Sequence, residues 1–193
     1  MTPTDDDLVA LYRRGENDAF AQLYDRYAAR LLRFLRSLGT TTEQCEDAAQ
    51  AAWLKAIDKL PAYSPDGRFK AWLFRIAHRV WLDDVQSAWE RKRSHNSASP
   101  NNDDDDSPEV SDRPDKAAPQ PHAVAAKREE RHKVDDALHE LPDAMRQAVL
   151  LRIDSELTYQ EIADTLYCPL GTAIWYVHEA QRRLQKMLGV IDE

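Results

Sequence analysis

Between two stretches in which apolar residues recur at helical spacing, this chain changes character. From Ser94 to about Ala123, Ser, Asn and Pro together with the run Asp103-Asp104-Asp105-Asp106 replace the apolar periodicity. A segment of that composition cannot bury enough apolar surface to offset the entropy of ordering it, so it reads as a flexible linker. The expected layout is an N-terminal domain over 1–93, an acidic linker over 94–126 and a C-terminal domain over 127–193. With 193 residues, 42% of them hydrophobic and only 5 glycines, two small helical domains fit the chain and a collagen-like or wholly disordered one does not.

Charge follows the same partition. Residues 1–93 carry 15 Lys+Arg against 14 Asp+Glu, residues 94–126 carry 2 against 7, and residues 127–193 carry 9 against 13. A net charge of −8 excludes a protein that coats nucleic acid by charge alone, so any DNA contact has to be local or assisted by a partner. No apolar run approaches the roughly 20 residues of a membrane span, and the acidic, polar start Met1–Asp7 has no secretory character, so the expected address is cytoplasmic with no membrane insertion. Cys45 and Cys168 lie far apart with no His or Cys at ligand spacing, which gives no support to a disulfide framework or a zinc site.

Within the first domain, Leu8, Leu11, Phe20, Leu23, Tyr24, Tyr27, Leu31, Leu32 and Leu35 mark an amphipathic helical stretch interrupted near Gly15 and Asn17. A further helix is expected to start at Thr40-Thr41-Thr42, where any of the three can cap it, and to end near Leu60-Pro61. The residues from Ala62 to Gly67 have loop chemistry, and Phe69, Trp72, Leu73, Ile76, Ala77 and Val80 then give another helix. In the second domain, Thr158-Tyr159-Gln160-Glu161 has the capping-box pattern, which places a short helix over Tyr159–Leu166. A longer one follows Pro169, with Leu170, Ala173, Val177, Ala180, Leu184 and Leu188 on its inner face. A short and a long helix joined by a tight turn form a helix-turn-helix, and no segment reads as strand. The fold class is all-α.

Catalytic signatures are missing: there is no HExxH, no GxSxG and no glycine-rich phosphate loop, and the expectation is a non-enzyme without cofactor or metal. Two segments suit nucleic acid. If the inner face of the last helix is as above, Thr172, Trp175, Tyr176, Glu179, Arg182 and Arg183 point outward as candidate duplex contacts. The segment 68–93 holds 7 Lys+Arg against 3 Asp+Glu, interleaved with Phe69, Trp72, Trp81 and Trp89. Cations beside rings suit single strands, whose phosphates want charge and whose unpaired bases stack. Phe69 and Trp72 read rather as core, whereas Trp81 and Trp89 are harder to bury with the rest.

The ordered set Asp7–Leu38, Glu46-Asp47-Ala48-Ala49-Gln50, Phe69–Ala77, acidic linker, Leu141-Pro142, Leu157–Ala163 and Gly171-Thr172 resembles a bacterial sigma factor of the extracytoplasmic-function group of the sigma-70 family. The resemblance implies a subunit that binds core RNA polymerase, recognises two promoter elements and helps open the duplex. It implies docking of Glu46, Asp47, Gln50 and Trp53 on the clamp helices of the largest polymerase subunit, with the flap as a further contact on core polymerase. It also implies capture of an extruded base of the proximal promoter element, through Tyr63, Arg68, Lys70, Arg75, His78 and Arg79. The helix-turn-helix would read the distal element, Asp103–Asp106 would mimic nucleic-acid charge inside the polymerase, and an anti-sigma factor would hold the protein inactive.

Three departures qualify the match. The recognition helix lacks a basic stretch after Gly171-Thr172, which leaves Ile174, Trp175 and Tyr176 as an apolar patch and predicts weak duplex binding without polymerase. Tyr167 occupies a turn position where glycine is common. Ala51 removes an acidic residue from the proposed docking face, and phosphorylation at Thr40, Thr41 or Thr42 would restore negative charge there, although capping is their simpler role. Two rival readings stay open: a polymerase-independent helix-turn-helix regulator, and a helical interaction protein with weakened DNA recognition.

Overall fold

The computed structural model describes residues 2–38, 41–96 and 132–189, with the backbone alone over 88–96. Asp103–Asp106, Thr40 and all of the 94–126 segment after Asn96 lie outside the described residues, as do the side chain of Trp89 and residues 190–193. The described residues are helical and contain no strand. Four helices make the N-terminal half: α1 (Asp5–Arg13), α2 (Asn17–Arg36), α3 (Thr42–Lys59) and α4 (Phe69–Asn96), with a 3₁₀ turn at Leu60–Ala62. The C-terminal half holds α5 (132–139), α6 (Asp143–Ile153), α7 (Tyr159–Leu166) and α8 (Leu170–Met187).

Helix starts follow from local side-chain chemistry. Thr4, Thr41 and Thr158 each accept a hydrogen bond from the amide three residues on, while Asp7, Gln44 and Glu161 bond back to the cap amide. Each box satisfies two donors that the first helical turn leaves without a partner. Of the three threonines before α3, Thr41 is the cap. α4 continues three residues past the expected boundary, to Asn96. After α7 the chain turns at Tyr167, which sits in the left-handed region at φ 52°, the conformation that glycine usually supplies at a helix end.

The interior explains the order of the helices. α2 buries Leu23, Leu31, Phe34 and Leu35, α3 presents the small stripe Cys45, Ala48, Ala52 and Ala56, and α4 contributes Phe69, Leu73, Phe74 and Ala77. Residues four apart fall on one face, so an alanine stripe lets α3 approach α2 and α4 closely. In the C-terminal half, Leu141, Met145, Val149 and Ala180 close a small core between α6 and α8, with Leu138, Tyr176 and Leu184 against it. The inner face of α8 is narrower than its spacing suggests. Ala173, Val177 and Ala180 are buried, but Leu170, the first residue of α8, is 43% exposed and Leu188, just past its last, is 37% exposed.

The two halves are in contact. One apolar cluster runs from Leu8 through Phe74 to Ala148, Ile162 and Val177, and α7 lies along α4. Polar ties support the seam: the Arg33 guanidinium pairs with Asp154 at 2.9 Å, Lys70 donates to the Glu156 carbonyl at 3.2 Å, and the buried Arg146 donates to the Ser37 carbonyl at 2.7 Å.

Candidate functional site

Three surfaces carry chemistry. The first is a groove of about 600 Å³ between α2 and α3. Trp53 forms its floor: only 6% exposed, it meets Phe20 edge-on at 5.7 Å and Tyr24 at 5.0 Å. Glu46, Asp47 and Gln50 are exposed, and Glu46 lies 3.7 Å from Arg36. Leu54, 61% exposed, and Tyr24, 46% exposed, supply apolar surface that nothing among the described residues covers. Sequence reasoning placed the acids and Trp53 together but missed Leu54 and Tyr24. The available signal was a leucine two residues from both Ala52 and Ala56, about half a turn round the helix from the buried stripe, which must therefore point outward.

The second surface is a cleft of about 360 Å³ above the loop that joins the 3₁₀ turn to α4. Arg68 and Arg75 line it, with Trp72 and Tyr63 at its base. Glu161 and Asp164 of α7 face it from the other half, so acids stand opposite its cations. Arg68 and Arg75 are exposed, Arg79 is exposed beside Asp83 at 3.1 Å, and Lys70 turns to the Glu156 carbonyl.

Two of the six residues expected here are not on the surface. Tyr63 is 6% exposed, edge-on to Phe69, and burial together with its hydrogen bond to Asp6 pushes its hydroxyl above the usual phenol range. His78 is 5% exposed, stacked on Trp81 at 5.9 Å and on Tyr167 at 6.0 Å. Its pKa is lowered by burial, against a smaller opposing effect from a hydrogen bond to the Thr165 backbone, and its Nδ1 has no partner. Trp81, expected to be hard to bury, packs partly against the core, with its ring stacked on that of His78. Phe69 is core as expected, and Trp72 is partly buried.

The third surface is the helix-turn-helix, α7 and α8. Trp175 is exposed at 54%, with its ring 5.5 Å from that of Tyr176, while Tyr176 itself packs onto both apolar clusters and is not free to reach outward. Thr172 is half-buried. Glu179 accepts from Arg182 at 2.8 and 2.9 Å and from Arg183 at 2.8 Å, and these hydrogen bonds bring its carboxyl pKa down to about 2. The two arginines expected to meet phosphate therefore already share an anion. Spacing alone could have shown this, since residues three and four apart on a helix are neighbours. Sequence reasoning also missed a cationic and aromatic stack beside the start of α7: the Arg152 guanidinium lies 5.0 Å over the Tyr159 ring, and Tyr159 meets His178 at 3.4 Å. Among the described residues no group of His, Cys, Asp and Glu could hold a metal ion, and no helix is long and apolar enough to cross a membrane.

Two family models match the chain: Sigma-70 region 2 over residues 23–91 and Sigma-70, region 4 over residues 131–184. The ECF RNA polymerase sigma factor SigK of Mycobacterium ulcerans is 33% identical, covering 95% of this chain and 94% of that protein. The RNA polymerase sigma-H factor of Pseudomonas aeruginosa is 27% identical over 95% of this chain and 93% of its own length. Among solved structures, the sigma factor RpoE of Bartonella quintana, in complex with the anti-sigma factor NepR, shares the fold. Its TM-score is 0.65 at 22% identity, covering 90% of this chain and 98% of that one.

Proposed function

This chain belongs to the extracytoplasmic-function group of the sigma-70 family, and on that premise we propose how its three surfaces divide the work of starting transcription. It is a sigma factor: it binds core RNA polymerase and directs initiation at promoters, and it acts by binding, without a reaction of its own. The α2–α3 groove docks on the clamp helices of the largest subunit. Leu54 and Tyr24 supply the apolar anchor, Trp53 holds the floor, and Glu46, Asp47 and Gln50 form a polar rim, the arrangement of buried anchor and hydrated edge that protein interfaces use.

The cleft above the 62–68 loop takes a base extruded from the proximal promoter element. Arg68 and Arg75 meet the phosphates and Trp72 offers a ring, which together offset the few kcal/mol of lost stacking. Glu161 and Asp164 repel phosphate from this cleft in the arrangement described, so α7 must withdraw before the strand enters. Residues 1–93 thus form the polymerase and proximal-element domain, and residues 127–193 the distal-element domain at the flap. The acidic 94–126 segment threads between them inside the polymerase.

The distal contact is weak by itself, because the first half of α8 carries no Lys or Arg and Arg182 and Arg183 are occupied by Glu179. An anti-sigma partner covers the free docking groove in a cytoplasmic, inactive state. The observation that carries this reading is the placement of an uncovered apolar groove with acidic rim and a cation-lined cleft on one half of a chain whose other half is a helix-turn-helix. Run-off transcription with core polymerase and a promoter library tests it. Initiation from two-part promoters is expected, with no gel shift by the purified chain alone. A chain that shifts duplex unaided and initiates nowhere would be a polymerase-independent regulator, and the proposal would fall.

A further inference from the structure

The three acids at the start of α1 look interchangeable in the sequence, as charges favourable to a helix dipole. In the structure each has a separate task. Asp7 closes the capping box with Thr4. Asp5 turns to α2, where it meets Arg26 at 2.8 Å and the Tyr27 hydroxyl. Asp6 reaches neither the cap nor α2. Its two carboxylate oxygens accept from the loop below the cleft, one from the Tyr63 hydroxyl at 3.0 Å and the other from the Gly67 amide at 2.8 Å.

Gly67 is the sharpest point of that loop, at φ 74°, and the amide of Arg68 next to it is held by Asp66 at 3.1 Å. At the other end of α1, Arg13 donates from Nε and Nη2 to the Leu60 carbonyl, at 3.2 and 2.7 Å, and from Nη2 to the Tyr63 carbonyl. One helix therefore grips both ends of the loop by hydrogen bonds in which one partner is ionised, the stronger kind. None of these bonds is needed to fold α1, whose cap is complete without them.

We infer that α1 belongs to the promoter-reading device, with Asp6 and Arg13 as positioning residues that hold the 60–68 loop in the shape that selects the extruded base. The inference rests on the proposed role of the cleft. A base pocket formed by a loop of nine residues discriminates only as well as the loop is held, because a mobile loop adapts to the wrong base. Asp6 fixes the apex that carries Arg68 into the cleft, and Arg13 fixes the turn that sets Tyr63 under Trp72.

The test uses the full chain with core polymerase and a promoter set in which each proximal and each distal base is varied. Asp6→Ala and Arg13→Ala are expected to reduce discrimination among proximal bases about fivefold each, from the loss of charge-assisted bonds. Distal discrimination and core affinity should stay unchanged. Asp6→Asn should recover part of the loss, since its amide oxygen still accepts one bond. Arg68→Ala serves as the reference, because it alters the cleft directly.

If Arg68→Ala changes proximal preference and the Asp6 and Arg13 variants do not, the inference is overturned while the reading of the cleft survives. If Arg68→Ala also changes nothing, the reading of the cleft fails and the inference with it. An equal loss of proximal selectivity, distal selectivity and core binding would make α1 a structural element only and would likewise overturn the inference. Should Asp6→Ala not fold by circular dichroism, Asp6→Asn and Arg13→Lys decide the matter by the same split between proximal and distal preference.

Discussion

Arg146→Lys keeps the positive charge at a buried position and removes the fork that uses it. The guanidinium, with 8% of its side chain exposed, donates to the Ser37 carbonyl at 2.7 Å, the His139 carbonyl at 3.2 Å and Asp143 at 2.5 Å. A lysine ammonium on a flexible stem can hold one of these positions but not the three directions that a planar fork reaches together. Two bonds are lost, and the freed carbonyls must turn to water in the open cleft lined by Ser37, His139 and Arg146, which does not replace the charge of the fork. At about 1.5 kcal/mol for each charge-assisted bond the cost is about 3 kcal/mol. For a chain of this size, about 2–4 °C per kcal/mol translates that into a fall in melting temperature of about 6–12 °C. Asp143→Ala is the internal control: its carboxylate is 74% exposed, and an exposed ion pair is worth about 0.5 kcal/mol, or roughly 1–2 °C. Circular dichroism melting of the full chain reads both. A lysine variant that melts within about 2 °C of the parent, or no lower than the Asp143 variant, would show that the carbonyl network and the seam through Ser37 do not hold the fold as argued.

Three further outcomes follow from the same geometry. Leu54→Asp should weaken core polymerase binding by more than about tenfold without moving the melting temperature, because a side chain 61% exposed contributes little to folding; unchanged affinity in a pull-down titration would remove the groove from the docking surface. Glu179→Gln should free Arg182 and Arg183, raise duplex affinity at low salt and steepen the dependence of log affinity on log salt by about one to two; in the parent, the carboxylate's contribution is present above its ordinary value of 4.5 and is lost as pH falls through about 2, which a carboxyl NMR titration follows. His78 is held neutral by burial, so as pH drops below the ordinary value of 6.5 the unfolded imidazole takes up a proton that the folded one resists, and stability declines until the lowered folded value is reached. His78→Phe should flatten that decline below about pH 6.5, and melting temperatures with the same pH slope in both proteins would contradict it.

Much of the architecture was legible because it depends on residues close in sequence. A threonine and a residue three positions on decide a helix start between them, which is why Thr158 could be placed from its neighbours alone, whereas Thr41 was only one of three candidate caps. The strained turn at Tyr167 was legible for the same reason, since a position that glycine usually fills keeps its geometry when tyrosine replaces it. Periodicity located the buried faces of α2 and α4. The pairing of Glu179 with Arg182 and Arg183 was also within reach, being local, and was passed over.

The site was harder to read, because its residues are selected by contacts across long separations in sequence. Tyr63 and His78 carry polar groups that suit a nucleic-acid surface, yet Asp6, 57 positions before Tyr63, and Tyr167, far along the chain from His78, draw them inward. Leu170 and Leu188 continue the apolar period of α8 but stay exposed at its two ends, which the period does not report.

Order of segments, helix termini, the acidic interruption and the membership of a family are properties of the chain as written, since each is set by composition or by neighbours within a turn or two. Which cations remain free for phosphate, which rings are floor and which are surface, and which acid of three grips the loop were decided only when helices far apart in sequence met. Hydrogen bonds and burial depend on distance in space, which periodicity does not report.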